Sequence, residues 1–224
     1  PSSEKLYDWE LGYQYTAPRL SLGVNLYYMK YKDQLVPTGM VNDDSNALNT
    51  NVPDSYRRGV ELSASWRATG WFTVGANATF SQNYVDALKD SPTYGKELGD
   101  MTIAYSPDVI ANAFLNFHHR GFEAVFHTQH VGKQYFTNNE NDALSLDAYC
   151  VTNLNLAYTF RTRSARSVRL GLLINNLFNA EYESNGYGYS YMDTWSGPAP
   201  VRIDEAYYFP QAPLNVLANV TVKF

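Results

Sequence analysis

The sequence predicts an all-β chain: an antiparallel, up-and-down transmembrane β-barrel segment of about nine strands. Three observations carry that reading. Large apolar or aromatic residues alternate with small or polar ones along most of the chain. Many of the alternating runs are roughly ten residues or longer, against the five or six usual in a globular sheet and the 9–11 of a membrane-spanning strand. The connections between them alternate short and long, as tight periplasmic turns and extended outer loops do. Composition agrees. Aromatics make up 15% of the 224 residues, 19 of them Tyr. Mean hydropathy is −0.38, and no run nears the roughly 18 apolar residues a membrane helix needs. A soluble β-sandwich shares this composition, but its Greek-key crossovers give no reason for connections to alternate.

The elements follow in order. Tyr7, Trp9, Leu11, Tyr13 and Tyr15 alternate with Asp8, Glu10, Gly12, Gln14 and Thr16. After a short turn at Ala17-Pro18-Arg19, Leu20, Leu22, Val24, Leu26 and Tyr28 continue the pattern. A long connection, about Pro37–Pro53, leads to Val60, Leu62, Ala64 and Trp66. The short Ala68-Thr69-Gly70 leads to Phe72, Val74, Ala76, Ala78 and Phe80. Weaker alternation covers about 108–119, 121–136, 148–160 and 168–182, and the run from Leu214 to Phe224 closes the chain. Between these lie a long connection (about Lys89–Pro107), a short one at Arg120-Gly121, a long one (about Thr137–Asp147), a short one (Arg161–Ser167) and a long one (about Ser184–Glu205). Tyr7, Trp9, Tyr28, Tyr31, Trp66, Trp71, Tyr149 and Tyr158 gather near strand ends, where an interfacial girdle would sit. Leu22, Val24, Leu62, Val74, Val220 and Val222 are expected to face hydrocarbon, with Val74 near mid-membrane. Glu10, Gln14, Asn25, Glu61, Asn77, Asn116 and Asn155 are expected on the lumen side.

The strand count constrains the whole. A bacterial barrel has an even number of strands with both ends in the periplasm. Counting back from a last strand that ends inward at Phe224, the first of about nine strands starts outside the cell. The segment is therefore expected to be the C-terminal portion of a larger barrel and not to seal alone, since an open edge in lipid is costly. Pro1 opens the chain without Met or an apolar leader, so the N-terminus reads as processed or cut.

Other features narrow the function. A net charge of −5 with no Lys/Arg cluster excludes a nucleic-acid footprint. Cys150 stands alone and gets no role. Cross-strand partners about the Arg120-Gly121 turn sum to about 241, opposing 118 to 123 and 127 to 114. His118 and His119 thus hug a periplasmic turn and do not converge with His127 and His130 on a metal or a catalytic relay. His127 and His130 lie farther up and leave a haem-receptor role open. The acidic "NDDSN" (Asn42–Asn46) and "NNEND" (Asn138–Asp142) lack EF-hand spacing and read as solvated loops.

Several motifs together resemble one family. "INNLFNAEY" (Ile174–Tyr182) resembles the Asn-Leu-Phe signature near the end of TonB-dependent outer-membrane receptors. "HVGKQY" (His130–Tyr135), "RRGVELSASW" (Arg57–Trp66), "NLYYMKYKDQLV" (Asn25–Val36) and "LANVTVKF" (Leu217–Phe224) resemble further strands of that family in the same order. The ending "NGYGYSY…YYFPQA" is similar to the Bacteroidetes type.

The resemblance implies a barrel of roughly 22 strands around an N-terminal plug. It implies import of a scarce, bulky ligand (siderophore, haem, cobalamin or glycan) energised by TonB, in the outer membrane, without catalysis or cofactor. Plug and TonB box lie N-terminal to the barrel and neither is in this sequence, so residues 1–224 would supply wall and outer loops. The implied partners are the plug and remaining strands, TonB, the barrel-assembly machinery, outer-membrane lipid and, in some receptors, a surface lipoprotein. Val220, Val222 and Phe224 resemble the assembly signal. A small complete barrel acting as adhesin, protease or anchor is the rival, and a soluble sugar-binding sandwich a third reading.

The final long connection carries the candidate ligand site. Tyr187, Tyr189, Tyr191 and Trp195 offer flat apolar faces with polar tips, suited to stacking on a sugar, corrin, haem or catecholate. Gly186, Gly188 and Gly197 are expected to give the backbone freedom. The alternating tyrosines equally read as a hairpin that projects beyond the membrane and packs on its neighbours, and both can hold for different tyrosines.

Overall fold

The computed structural model describes residues 2–41, 47–85 and 101–224. Its strands are β1 (Lys5–Ala17), β2 (Leu20–Val41), β3 (Ala47–Arg67), β4 (Phe72–Val85), β5 (Met101–Thr102), β6 (Val109–His119), β7 (Phe122–Val131), β8 (Gln134–Tyr135), β9 (Ser145–Leu146), β10 (Tyr149–Phe160), β11 (Ser167–Asn175), β12 (Glu183–Asp193), β13 (Val201–Pro210) and β14 (Asn215–Lys223). Among the described residues, β1-β2-β3-β4-β6-β7-β10-β11-β14 form one antiparallel sheet in that order, with β5 on β4. The sheet is open: β1 pairs with β2 alone and β14 with β11 alone. The strand of Phe224 and that of Tyr7–Tyr15 do not meet.

Pairing sorts every side chain onto one of two faces, because the strand period is two. One face is apolar from β3 to the far edge: Trp66, Val74, Leu115, Phe126, Leu154, Ile174 and Val216 are successive cross-strand partners. Leu22, Val24, Leu62, Val220 and Val222 share it. That row starts beside a short turn at Trp66 and finishes at the opposite end of β14. The strands are thus staggered, as the tilt of a barrel wall requires. The other face is polar. Gln14, Gly23, Ser63, Asn77, Asn112 and Gln129 form a parallel row, and Glu10, Asn25, Glu61, Asn116 and Asn155 lie on the same side. Side-chain hydrogen bonds stitch it: Asn112 Nδ2 donates to Asn77 Oδ1 at 3.1 Å and Asn25 Nδ2 to Glu61 Oε2 at 3.2 Å.

Two aromatic belts bound the apolar face. Tyr7, Trp9, Tyr28, Tyr56 and Tyr84 run across β1–β4, with successive ring centroids 5.6–6.3 Å apart. Near the short turns, Trp71, Phe72 and Phe117 pack at 4.4–6.0 Å. On β3, Tyr56 and Trp66 are separated by about 33 Å of strand, or about 25 Å once tilted by about 40°, the height of a barrel's hydrocarbon band. Two expectations fail here. Tyr31 and Tyr149 belong to the polar face by parity: Tyr31 is buried under Arg57, whose guanidinium lies 5.2 Å from the ring, and Tyr149 stacks on Tyr182 at 4.6 Å. Val74 lies two residues from the Phe72 belt, not at mid-membrane, because β4 starts at Phe72. Leu62, opposite Val24 and Ala78, takes the middle position.

The connections hold further differences. Arg120 and Gly121 both have positive φ, 49° and 85°, a two-residue turn whose twist matches the strands. Here glycine is required, since a Cβ on Gly121 would sit 2.3 Å from the Thr159 carbonyl oxygen. Register confirms the expected pairing of His118 with Glu123 and Phe114 with His127. The connection expected at Pro37–Pro53 is mostly strand: β2 and β3 stay paired up to Val41 and Ala47, with a register irregularity between Pro37 and Val41. The run expected over 168–182 ends as a strand at Asn175. Beyond it Asn176, at 3% exposure, forms a staple: its N–H donates to Asn153 Oδ1 and its Nδ2 to the Ala180 carbonyl, while the Ala180 N–H donates back to Asn176 Oδ1. In a closed membrane barrel holding this wall, Leu62→Arg should cost about 2–4 kcal/mol and Val74→Arg about 1 kcal/mol or less. Urea unfolding of the intact protein in lipid vesicles, followed by Trp fluorescence, reads the gradient, and equal costs would overturn the depth assignment.

Candidate functional site

Above the upper belt the chain builds a small globular cap. Its core consists of two clusters. Val36, Val52, Val85, Met101 and Ile103 close over the ends of β2–β4. Phe136, Leu144 and Leu146 form the second, with Ala206 packed against them. The "NNEND" stretch is the organiser and not a free solvated loop. Thr102 donates through its N–H and Oγ1 to Glu140 Oε1, at 2.9 and 2.6 Å. Asn138 accepts from the Ala104 N–H and donates to the Pro37 carbonyl. Asn141 donates to Asp204 and Asp142 pairs with Lys133. The second acidic stretch, Asn42–Asn46, lies outside the described residues.

The expected long loop Ser184–Glu205 is a β-hairpin, β12 against β13, in a sheet of its own. It docks on this cap through one face. Gly186 and Gly188 sit flat on the second cluster: a Cβ on Gly186 would meet Phe136 Cζ at 2.6 Å, and one on Gly188 would meet Leu144 Cδ2 at 2.9 Å. Neither has positive φ. These glycines therefore serve close approach, not backbone freedom, and Gly197 has no positive φ either. Tyr105 Oη donates to the Gly186 carbonyl at 3.2 Å, and Phe136 packs against Tyr208 at 5.8 Å with the rings tilted by 53°. Ser190 Oγ and Arg202 Nε both donate to Asp204 Oδ1. Burial pushes the Asp204 carboxyl up, but the bonds from Ser190, Asn141 and Arg202 outweigh it and leave it below its ordinary range. β12 also approaches β2.

The opposite face carries the tyrosines. Tyr187 and Tyr207 stack at 5.0 Å with planes 14° apart, and Tyr189 lies 6.4 Å from Tyr207. Three phenols converge on one carboxylate: Tyr189 and Tyr207 donate to Glu205 Oε2 at 2.7 and 3.0 Å, and Tyr191 to Oε1 at 3.1 Å. These bonds, Tyr189's first, hold the Glu205 carboxyl below its usual range, and Glu205 pushes the Tyr189 hydroxyl well up. At neutral pH the cluster is thus an ionised carboxylate ringed by neutral phenols. Trp195 stands apart at the tip, 94% exposed, on a turn in which Asp193 Oδ1 accepts from the Trp195 and Ser196 N–H groups. The structure brings Tyr187, Tyr189 and Tyr191 together on one exposed face and leaves Trp195 outside that cluster. Sequence reading missed Glu205 as a member; cross-strand parity was the signal that could have found it.

The profile of the family described as "TonB dependent receptor-like, beta-barrel" matches residues 2–177. The chain belongs to this family. It is 23% identical over 187 residues to the pesticin receptors of Yersinia enterocolitica and Yersinia pestis, covering 83% of this chain and 26% of theirs. Among solved structures, the ferric yersiniabactin uptake receptor of Yersinia pestis superposes with a TM-score of 0.69 at 20% identity, over 99% of this chain and 30% of that one. The copper transporter OprC gives 0.69 at 21%, over 97% and 32%. The chain therefore spans roughly a quarter to a third of the length of the relatives it matches. These relatives give no support to the finer Bacteroidetes-type placement.

On this receptor wall the histidines are spread out. His118 and His127 lie on the polar face, His119 and His130 on the apolar one, His130 opposite Cys150. Val220 and Val222 lie on the apolar face of the edge strand, opposite Leu170 and Val168, and Phe224 follows it, 94% exposed.

Two outcomes follow from the hairpin's geometry. Gly188→Val should lift β12–β13 from the Phe136–Leu144 cluster and open it to added protease on whole cells, whereas Tyr187→Ala should not. The low carboxyl of Glu205 adds stability that is present above the unfolded Glu range of about 4.3 and is lost as pH falls through the lower, folded value. Tyr189→Phe should move the loss of hairpin protection to higher pH; a protection curve unchanged by this substitution would show that the phenol–carboxylate cluster does not hold the hairpin.

Proposed function

We propose that this chain is the C-terminal part of the wall and outer surface of an outer-membrane receptor that imports a scarce, bulky ligand with energy from TonB. The observation that carries the reading is the division of one chain into a two-faced wall and an aromatic hairpin mounted above it. The apolar face meets lipid between its belts; the polar face suits a water-filled lumen and the plug that such receptors place there. The matched relatives include a ferric yersiniabactin uptake receptor and a ferric-catecholate import receptor of E. coli, which favours a ferric chelate among the ligands considered. Transport, not catalysis, is the role of these relatives. The resemblance also supports plug, TonB and assembly machinery as partners, with Val220, Val222 and Phe224 as the assembly signal.

In this reading Tyr187, Tyr189, Tyr191 and Trp195 contact the ligand. Their exposed rings supply area at small entropy cost, and Glu205 with its phenols supplies acceptors. The test uses the full-length receptor in its own cells. Uptake of ⁵⁵Fe-labelled chelates should require both the receptor and TonB. Tyr189→Ala with Trp195→Ala should weaken binding about tenfold or more, as loss of aromatic anchors does, with surface expression unchanged. Normal expression with undiminished affinity would reduce these side chains to hairpin packing. A complete, ligand-indifferent barrel without TonB dependence would favour the adhesin or anchor reading.

A further inference from the structure

The end of the wall opposite the hairpin carries an uneven distribution of charge. Arg19, Arg67, Arg120, Arg161, Arg163 and Arg166 lie in or beside the four short connections, and no Asp or Glu lies in any of them. Glu123, which follows the third turn, is held bidentately by Arg169, with oxygen–nitrogen distances of 2.8 and 2.7 Å. The excess of acid in this chain lies elsewhere, chiefly in the cap and outer connections. Net charge alone hides this polarity, and the expectation of no Lys/Arg cluster fails at Arg161–Arg169, which holds four Arg in nine residues.

The same rim contains an apolar recess on the hydrocarbon face. Trp71, Phe117, His118, His119, Phe122 and Ala124 line an open cavity of about 540 Å³. Phe122 lies opposite both His119 and Tyr158, so the recess continues along the lower belt towards β10. Arg120 sits at its mouth, on the adjoining surface formed with Trp71, His118, His119, Gly121 and Glu123, whose carboxylate is already paired with Arg169. Turn and neighbouring strand are locked together, because the Thr159 N–H donates to the Gly121 carbonyl at 2.8 Å. That bond ties the Arg120-Gly121 turn to the end of the strand that leads into the Arg161–Arg166 connection. A cationic mouth above an aromatic slot open to hydrocarbon matches an amphiphile with an anionic head and an acyl tail. In the bilayer placement above, this rim lies at the periplasmic surface, where the available amphiphile is a phospholipid.

We propose that this rim binds an anionic phospholipid of the periplasmic leaflet, with its acyl chain in the Trp71–Phe117–Phe122 recess and its phosphate at Arg120 and the Arg161–Arg166 turn. The proposal rests on the outer-membrane placement but not on ligand uptake. Arginine forks suit a phosphate, Trp and Phe at the interface suit the glycerol and upper acyl region, and basic pockets at a membrane surface select anionic heads.

The test reconstitutes the full-length receptor in nanodiscs of phosphatidylethanolamine and phosphatidylglycerol, then counts lipids retained after detergent extraction by native mass spectrometry. Phosphatidylglycerol should be retained in preference to phosphatidylethanolamine. Arg120→Asn, a residue that tolerates the left-handed turn, and Arg163→Gln should each weaken that preference about fivefold. Trp71→Ala should lower retention of both lipids. Folding is checked by the heat-induced mobility shift on gels, and ferric-chelate uptake is measured in parallel. Lost uptake with lipid preference intact would sink the transport reading and leave this one standing. Equal retention of the two lipids, or retention indifferent to both arginines, would overturn the proposal. So would displacement by glycerol 3-phosphate as effective as by phosphatidylglycerol, by lipopolysaccharide, or by a periplasmic protein captured through the same arginines.

Discussion

Hydrocarbon offers no partner to a backbone N–H or carbonyl, and the wall is shaped by that constraint. Each unsatisfied group would cost several kcal/mol, so between the belts the chain is paired strand, without a described break. Once pairing is continuous, side chains have only two directions to point. The apolar row from Trp66 to Val216 and the polar row from Gln14 to Gln129 are two consequences of one hydrogen-bond ladder. The stagger between them follows as well, because a sheet that curves toward closure must tilt its strands. At β1 and β14 the ladder runs out of described partners, which is where further strands of a receptor barrel would add.

Beyond the belts water is available and the rule relaxes. There the chain turns irregular, and positive-φ residues such as Tyr105, Glu140, Asn176 and Asn179 occur. The wall buries few of its side chains completely; most of the fully buried apolar residues, among them Val52, Leu144 and Leu146, lie in the cap. The molecule thus uses two solvents in two ways: lipid covers the wall, and the cap must cover itself. Asn138, Glu140 and Asn141 are polar for that reason, since they tie together backbone segments that no ladder reaches.

The wall was legible because its rule is local. Alternation at Leu20–Tyr28 or Phe72–Phe80 needs no knowledge of distant residues, and the turn at Arg120-Gly121 set the correct register for β6 and β7. What escaped was the face of Tyr31 and Tyr149, which unbroken register puts on the polar side, and depth, as at Val74. The cap escaped for a different reason. Val36, Val52, Val85 and Ile103 come from four separate segments, and Phe136 meets Gly186 across fifty residues of chain. Such contacts leave no period in the sequence. At the site, the aromatic content of Ser184–Trp195 was visible, and so was a hairpin as one of its readings. The meaning of its glycines was not, because a glycine chosen for closeness and one chosen for freedom look alike until the facing side chain is known. Glu205 escaped since its three phenols reach it from both strands.

The hairpin's two faces have separate obligations. The glycine side is fixed by Phe136 and Leu144, where even one added carbon has no room. The tyrosine side meets few steric demands beyond its own stacking. The outward residues are therefore free to be exchanged one by one, while any change beneath them must be matched by the partner it presses against.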